Sequence, residues 1–483
     1  MPTKQHRPPV VVVLGHVDHG KTTLLDYIRK SNLASKEAGE ITQSIGAYEA
    51  KIPLKGYDAD RLTFIDTPGH EAFTKLRSRG AQVADIAILI VDATASVMPQ
   101  TIESISHIKQ AKIPFIVAIN KVDLERANVE KVNKDLSKHD VLTENMGGTI
   151  PVIPISAKSG TGVNDLLEAI LLVASEQDLS YDLEGELEVY VIETQHEKAG
   201  IAVSCIIKNG ALKVGDTIYA QELEARVRAL ITDRGSSVKE VTPSMPFMLL
   251  GFKELPEVGV QISRQKKSFE VAKDELEKHT ESDSIFKEDE GKKLMIIVKA
   301  DSKGSIEALL PPLLENENIE VVLYGIGEIS KSDIFLAKVS KAIIIGFNAK
   351  IPQSTEKIAM EEKVVIKTYK IIYKLLEELA EVSLLLKERE EKSKNLKGEA
   401  KLQAVFTIEG SKIAGVKITK GKFELNDKLE LYRDNQMKGE AMLSSIKQRS
   451  KHVKGAKKDQ EAGLLLEPQL DIQAGDVIKS YSI

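Results

Sequence analysis

A glycine-containing loop between an apolar strand and a helix constrains the fold of this chain more than any other feature. Residues 10–14 are consecutive apolar residues, and residues 23–28 have a helical pattern. Strand, loop and helix in this order are typical of a phosphate-binding loop, because glycine lets backbone N–H groups surround phosphate oxygens and the helix N-terminus faces the same anion. The loop residues assigned to the nucleotide are Gly15, His16, Val17, Asp18, His19, Gly20, Lys21, Thr22 and Thr23.

Two side chains at the end of this loop carry its chemistry. We expect Lys21 to reach the β- and γ-phosphates of a nucleotide, and the Thr22 hydroxyl to ligate Mg²⁺. Phosphoryl transfer needs positioning and charge neutralisation more than covalent help, so Lys21 is also a catalytic candidate. A chance match in a surface loop is the alternative, and the motifs that follow argue against it.

A second motif, Asp-Thr-Pro-Gly at 66–69, follows the apolar strand predicted at 62–65. Asp66 is placed to hold the metal through a water molecule, and the Gly69 N–H to sense the γ-phosphate. Taken alone, this tetrapeptide is also compatible with an ordinary turn.

The third and fourth motifs predict a guanine-specific base site. A carboxylate at Asp123 can accept hydrogen bonds from both N1–H and the exocyclic amine of guanine, a pair that adenine does not offer, and such a site rejects the wrong base strongly. Both motifs follow apolar strands, and ligands of open α/β sheets bind at those strand ends. The two motifs contribute Asn120, Lys121, Asp123, Ser156, Ala157 and Lys158.

The four motifs resemble those of translational GTPases, and residues 38–48 resemble the first switch of the bacterial translation initiation factor 2 family. The resemblance covers essentially the whole chain, apart from an N-terminal extension that many members carry. It implies that Thr42 is a second Mg²⁺ ligand and that His70 orients the attacking water. It also implies that Val17 and Ile41 form an apolar gate that keeps His70 away until the ribosome triggers hydrolysis.

Two arginines follow the second motif. The pattern around Arg77 and Arg79 predicts a solvent-facing helix surface, so no clear arginine finger is assigned within the GTPase domain. Because external help is then needed to stabilise the transition state, we expect slow intrinsic hydrolysis of GTP with activation by a partner.

Composition indicates a cytoplasmic multidomain protein. The 67 basic and 72 acidic residues nearly balance, which excludes a global polyanion-binding charge and leaves RNA contact to local patches. The single cysteine, Cys205, is expected to be a core residue, and one cysteine excludes an internal disulfide framework or a cysteine-cluster metal site. No run approaches the ~18 apolar residues of a membrane span, and residues 1–9 lack a secretory apolar core.

The periodicity of the chain changes at several positions, which predicts a multidomain α/β and β architecture. A helical, charged segment at 268–293 is expected to act as a connector. The predicted division is a P-loop GTPase domain at 1–180, a β-barrel at 181–270, a connector with an α/β/α domain at 271–360, a long connecting helix at 361–397 and a C-terminal β-barrel at 398–483.

The resemblance implies that the last domain binds the formylmethionine end of initiator tRNA. Between residues 438 and 458 there are seven basic residues and one acid, a patch that can neutralise phosphates, although a solvated loop is the alternative. Relative to the family pattern, the run at 445–450 lacks an aromatic residue, and Val416 and Ala462 replace two cysteines. The candidate tRNA-contacting residues are Lys447, Arg449, Glu461 and Gly463.

The resemblance therefore implies a monomeric initiation factor that recruits or protects formylmethionyl initiator tRNA and promotes subunit joining with ribosome-triggered GTP hydrolysis. The implied ligands are GTP or GDP and Mg²⁺, and the implied partners are both ribosomal subunits, initiator tRNA and other initiation factors. An elongation-factor-like carrier of another aminoacyl-tRNA shares the nucleotide motifs and is the alternative. A non-enzymatic RNA-binding scaffold is a third class, against which the intact catalytic and metal candidates argue.

Overall fold

The computed structural model describes residues 5–30, 46–52, 60–68, 71–197, 199–266, 293–408, 411–434, 436–449 and 451–482. The chain forms two units, Met1–Ile285 with Met295–Glu378, and Phe286–Leu294 with Leu379–Ile483. Some candidates lie outside the described residues, as does nearly all of the charged connector: Ile41, Thr42, Gly69, His70 and residues 268–292.

The N-terminal part of the first unit alternates strands and helices. Its strands are β1 (Gln5–His6), β2 (Val10–Gly15), β3 (Gly46–Lys51), β4 (Arg61–Asp66), β5 (Ile86–Asp92), β6 (Phe115–Asn120), β7 (Val152–Pro154) and β8 (Ser180–Tyr181). Its helices are α1 (Lys21–Arg29), α2 (Thr74–Val83), α3 (Pro99–Ala111), α4 (Val129–Ser137) and α5 (Val163–Ser175).

Six of these strands form one sheet in the order β3-β4-β2-β5-β6-β7, in which only β3 runs antiparallel to its neighbour. Strands β2 and β5 are buried along their whole length, as expected for parallel strands covered on both faces. Since the parallel strands share one direction, the residues that follow β2, β4, β6 and β7 come to the same edge of the sheet. The described residues of the four sequence motifs lie at that edge.

The next part of the first unit consists of strands. They are β9 (Glu188–Glu197), β10 (Gly200–Asn209), β11 (Leu212–Lys213), β12 (Thr217–Ala220), β13 (Leu223–Arg226), β14 (Ala229–Thr232), β15 (Ser237–Val238), β16 (Glu240–Val241), β17 (Pro246–Leu250) and β18 (Gln261–Ser263). Eight of them form an antiparallel sheet in the order β13-β12-β18-β9-β10-β17-β14-β15. Its apolar residues enclose one core that includes Cys205. Burial raises the pKa of this thiol, and the prediction that Cys205 is a core residue is confirmed.

A buried ion cluster joins this second sheet to the first. The Asp85 carboxylate accepts from the Arg7 guanidinium at 2.5 and 2.7 Å and from Lys208 Nζ at 2.9 Å. The Val10 N–H donates to the same carboxylate at 2.8 Å, so Asp85 also anchors the start of β2. Together the two cations compensate a charge that burial would otherwise make costly.

The third part of the first unit is a smaller α/β layer. It contains β19 (Leu294–Ala300), α6 (Lys303–Leu314), β20 (Ile319–Ile326), α7 (Lys331–Ser340), β21 (Ile343–Phe347), α8 (Gln353–Glu361) and β22 (Ile366–Tyr369). The helix α9 (Ile372–Lys394) follows, and from Leu379 onwards it belongs to the second unit. The sheet order is β20-β19-β21-β22.

The predicted helix at 361–397 is wrong at both ends. Residues 366–369 pair in parallel with β21 and complete this sheet, because the β-branched run at 364–366 favours an extended chain. The helix begins only at Ile372, and the strand that follows it begins at Leu396.

The α6 N-terminus packs against the second sheet through one buried acid. The Glu193 carboxylate on β9 accepts from the Gly304 N–H and the Ser302 hydroxyl, both at 3.2 Å. The side chain leaves no room for a larger residue at Gly304, where a Cβ would lie 2.5 Å from Glu193 Oε2. A carboxylate at a helix N-terminus satisfies amide donors that the helix itself leaves unpaired.

The strands of the second unit are β23 (Leu396–Ile408), β24 (Ser411–Glu424), β25 (Lys428–Arg433), β26 (Gln436–Gln448), β27 (Lys451–His452), β28 (Gly455–Lys457), β29 (Glu461–Glu467) and β30 (Val477–Tyr481). Six of them form a closed barrel in the order β23-β30-β25-β26-β29-β24, with β24 pairing back to β23. Alternating residues of these strands fill one apolar core.

The predicted fold class is confirmed: an α/β nucleotide-binding layer, β-barrel folds and a smaller α/β layer. Within the part of the chain that the structure describes, no helix is long and apolar enough to cross a membrane.

Candidate nucleotide site

The glycine loop turns directly from β2 into α1. Gly20 adopts φ +92° as the residue before α1, and a Cβ there would lie 2.2 Å from Asn120 Nδ2. Both the backbone angle and the lack of space therefore require glycine at this position. As a result, the first N–H groups of α1 open towards the loop, where they can bind an anion.

The Lys21 side chain hydrogen-bonds to the backbone at the start of the glycine loop. Its ammonium donates to the carbonyl oxygens of Gly15 at 3.0 Å and His16 at 2.8 Å. Burial lowers the pKa of Lys21 to about 8, and the nearby Asp66 carboxylate opposes that shift. The lysine therefore remains predominantly protonated at neutral pH, as neutralisation of phosphate oxygens requires.

His19 and Asn120 hold three motifs together. The Asp92 N–H donates to His19 Nδ1 over 3.3 Å, and burial lowers the pKa of His19 to about 4, so the ring is neutral at pH 7. Asn120 Nδ2 donates to the His19 carbonyl at 2.8 Å, while its Oδ1 accepts from the Ala157 N–H at 2.9 Å. These two predicted site residues thus brace the phosphate loop against the base motifs.

A cavity of about 220 Å³ lies beside this brace. Asp123 is exposed in it, as a carboxylate that receives a base must be. Leu124 also lines the cavity and is 47% exposed; sequence reasoning missed it, although a large apolar residue directly after Asp123 is a readable signal. The lining residues are Gly20, Thr23, Asn120, Lys121, Asp123, Leu124, Ser156, Ala157 and Lys158.

Sequence reasoning also missed the partner of Lys121. Lys121 Nζ lies 2.7 Å from Asp92 Oδ2, and the lysine backbone has φ +64°. Burial alone would raise the pKa of Asp92, but hydrogen bonds from Lys121 and Thr94 outweigh it and lower that pKa to about 2. The sequence does contain a signal for this contact: Asp92 is an acid at the end of the apolar strand β5, just as Asp66 is at the end of β4.

The remaining candidates of this site are placed around the loop. Asp66 ends β4, and its charge acts on Lys21, while Thr22 lies in the first turn of α1. The Val17 N–H donates to Gln100 Oε1 over 2.9 Å, so the loop is also tied to α3.

The prediction that the two arginines face solvent is wrong. Arg77 is fully buried and contacts Glu103 on α3. Arg79 pairs with Glu307 of α6, with an N–O distance of 2.6 Å. The reason is that α2 packs between α3 and α6, so that its polar side chains meet acids of neighbouring helices instead of water.

A second pocket, of about 890 Å³, lies on the C-terminal barrel. It is lined by all four tRNA candidates, namely Lys447, Arg449, Glu461 and Gly463. Phe406 on β23 also lines it and is 54% exposed, an aromatic that sequence reasoning did not assign to the pocket.

Two glycines on neighbouring strands line this pocket. Gly415 on β24 lies opposite Gly463 on β29, and Gly463 lies opposite Lys447 on β26. A Cβ at Gly415 would lie 2.7 Å from a ring carbon of Phe406. Because Gly415 has no side chain, the Phe406 ring can lie against it. We call the part of the pocket lined by Phe406, the two glycines and Lys447 the trough.

Comparisons with known proteins agree with this architecture. Residues 6–176 match the family model described as the elongation factor Tu GTP binding domain, and residues 186–265 match elongation factor G domain 2. Residues 266–380 match the model described as translation-initiation factor 2. A nucleotide site of this kind, followed by such a second domain, defines a translational GTPase.

Two sequence relatives carry the name of one translation initiation factor. The translation initiation factor IF-2 of Halothermothrix orenii is 41% identical over 99% of this chain and 72% of that relative. The translation initiation factor IF-2 of Thermosipho africanus is 42% identical over 98% of this chain and 70% of that relative. A solved structure of GDP-bound aIF5B from Aeropyrum pernix is 26% identical, covers 99% of this chain and 92% of that chain, and gives a TM-score of 0.47.

The chain belongs to the translation initiation factor IF-2 family. It is a translation initiation GTPase that binds guanine nucleotide, and the elongation-factor-like alternative is not favoured.

Proposed function

We propose that this protein binds GTP with Mg²⁺, delivers formylmethionyl initiator tRNA to the ribosome and hydrolyses GTP when the joined ribosome triggers it. Both ribosomal subunits and other initiation factors are its partners in this proposal, and it acts in the cytoplasm as a monomer.

The donor atoms near the loop fit a magnesium ion. The Thr22 hydroxyl and the Asp66 carboxylate are hard oxygen ligands, which Mg²⁺ prefers, and the ion would take further ligands from nucleotide phosphates. The influence of Asp66 on the pKa of Lys21 supports its closeness to the phosphate position. When bound, the ion neutralises charge on the phosphate oxygens.

In the proposed hydrolysis, the residues of this chain position the attacking water and neutralise charge on the phosphates. Lys21 would supply positive charge to the β- and γ-phosphates, and His70 would orient the attacking water. Val17 and Ile41 would keep His70 back before activation, and Thr42 would join the metal site. In the base pocket, Asp123 would accept the two guanine donors.

The proposal that the protein binds initiator tRNA rests on the trough on the C-terminal barrel. Its aromatic wall and glycine floor suit a slender apolar side chain such as methionine, while its basic rim suits the adjoining phosphates. Phe406 thus compensates for the aromatic residue that the run at 445–450 lacks.

Equilibrium binding of formylated and unformylated initiator tRNA to the whole protein, across a salt series, tests this proposal. We expect preference for the formylated form, and a Gly415→Val variant that weakens the formylated form most, because the added side chain meets Phe406. Lys479→Ala, a change on another strand of the same barrel, is the matched control. Equal affinity for formylated and unformylated tRNA, with affinity that falls steeply as salt rises, would contradict the proposal. It would mean that the pocket contacts only the tRNA phosphates.

A further inference from the structure

Arg77 connects the second nucleotide motif to a neighbouring helix through two different nitrogens. Its Nη1 donates to the Pro68 carbonyl at 3.0 Å, within the Asp-Thr-Pro-Gly motif. Its Nη2 donates to both carboxylate oxygens of Glu103, at 2.6 and 2.7 Å, and to the Thr74 hydroxyl at 3.1 Å. Because the guanidinium is planar, these bonds fix the distance and angle between the motif and α3.

Hydrogen bonds keep the Glu103 side chain ionised for its contact with Arg77. His107, one turn further along α3, lies 3.3 Å from Glu103 Oε1. Burial would raise the pKa of Glu103, but hydrogen bonds from His107, Arg77 and Thr74 together lower it to about 2. The ion pair therefore persists at every pH at which the protein would be assayed.

The same helix also holds the phosphate-binding loop. Gln100 lies one turn before Glu103 on the same face of α3, and its Oε1 accepts from the Val17 N–H at 2.9 Å. One rigid helix thus fixes the loop through Gln100 and the second motif through Glu103 and Arg77. These are the two segments between which the γ-phosphate of GTP would lie.

We propose that Arg77, held by Glu103, is a positioning residue for GTP hydrolysis that fixes the Pro68 peptide relative to the phosphate-binding loop. The proposal goes beyond the nucleotide contacts assigned above and rests on the GTPase activity. Arg77 itself touches neither substrate nor reacting atoms; it acts through the Pro68 carbonyl. A bond to the Pro68 carbonyl therefore restrains the backbone of the motif at Pro68.

This role predicts a difference between GTP and GDP that a purely structural role does not. GDP would be held by the loop and the base pocket, whereas the hydrogen bonds of Arg77 described above go to Pro68, Thr74 and Glu103, outside both. GTP additionally needs the second motif in place. Loss of the Arg77 contact therefore weakens the triphosphate state selectively, whereas general destabilisation weakens both.

The test uses the whole protein with the variants Arg77→Lys and Glu103→Gln. A lysine keeps the charge but has a single nitrogen, which does not bridge both acceptors. We expect affinity for a non-hydrolysable GTP analogue to fall at least tenfold and GDP affinity to stay within twofold. Ribosome-stimulated single-turnover hydrolysis should also fall at least tenfold.

Arg79→Lys is the matched control, because Arg79 lies on the same helix in an ion pair with Glu307 and should leave nucleotide discrimination unchanged. Equal loss of GTP and GDP affinity, or unchanged hydrolysis in both variants, would overturn the proposal. If Arg77→Lys does not fold, Glu103→Gln alone decides, because it keeps the size of the side chain but removes the charge and one of the two acceptors that hold Arg77. Wild-type protein that hydrolyses no GTP would contradict the proposed function instead.

Discussion

Replacing Glu193 with glutamine should remove a specific pH dependence of stability. This carboxyl is 4% exposed on β9, where it accepts from Thr194, Ser302 and Gly304. Burial raises its pKa from 4.5 to about 7, even though those hydrogen bonds favour the charged form. Among other charged groups, Glu307 of α6 adds to the shift, and Glu307 is itself paired with Arg79.

The direction of this pH dependence follows from the two proton affinities: Glu193 binds its proton more tightly in the folded protein than in the unfolded chain. Between pH 4.5 and about 7 the folded protein keeps Glu193 protonated while the unfolded chain releases the proton. The stabilisation is therefore complete below pH 4.5 and is lost as the pH rises through 7. Raising the pKa of Glu193 from 4.5 to about 7 corresponds to about 3 kcal/mol of unfolding free energy.

Glutamine imitates the protonated acid at every pH, so the variant should resemble wild type at pH 5 and exceed it by about 3 kcal/mol at pH 7.5. Urea unfolding at both pH values, monitored on the first unit, measures this difference, and other titrating groups cancel between the two proteins. Glu197→Gln, an exposed acid on the same strand, should show no pH-dependent difference. A difference for Glu193→Gln that does not change with pH would refute the reasoning.

Three further predictions concern single residues. Asp123→Ala should lower GTP and GDP affinity by about 100-fold or more, measured by calorimetry, because the base loses a charged acceptor; a change below threefold would contradict the assignment. Gly20→Ala should abolish nucleotide binding in the same assay, since its Cβ would overlap Asn120, and binding at wild-type affinity would show that the loop adapts. Asp85→Asn should lower the free energy of unfolding by about 3–5 kcal/mol in urea, because it leaves buried cations without a counter-charge; a loss below 1 kcal/mol would mean that water replaces the carboxylate.

Local patterns predicted the nucleotide edge because all of its motifs end apolar strands. The chemistry of Lys21 and Asp123 depends on residue type and on position after a strand, and both are readable in the sequence. The cavity beside Asn120 gathers the base candidates at one edge for the same reason.

Contacts between distant segments were not readable in the same way. Arg77 looked like a surface residue because its partner, Glu103, is contributed by another helix. Phe406 was missed because it reaches the C-terminal pocket from a strand some 40 residues before the basic run. The strand at 366–369 was placed within a predicted helix because the β-branched run before it is short, and its pairing with β21 depends on a distant segment.

Single-turnover GTP hydrolysis tests the central claim most directly. The whole protein should be measured alone, and again with both ribosomal subunits and formylmethionyl initiator tRNA. The account predicts slow hydrolysis by the protein alone and a large acceleration by the ribosome with initiator tRNA. Rapid turnover without ribosomes, or no acceleration by them, would contradict it.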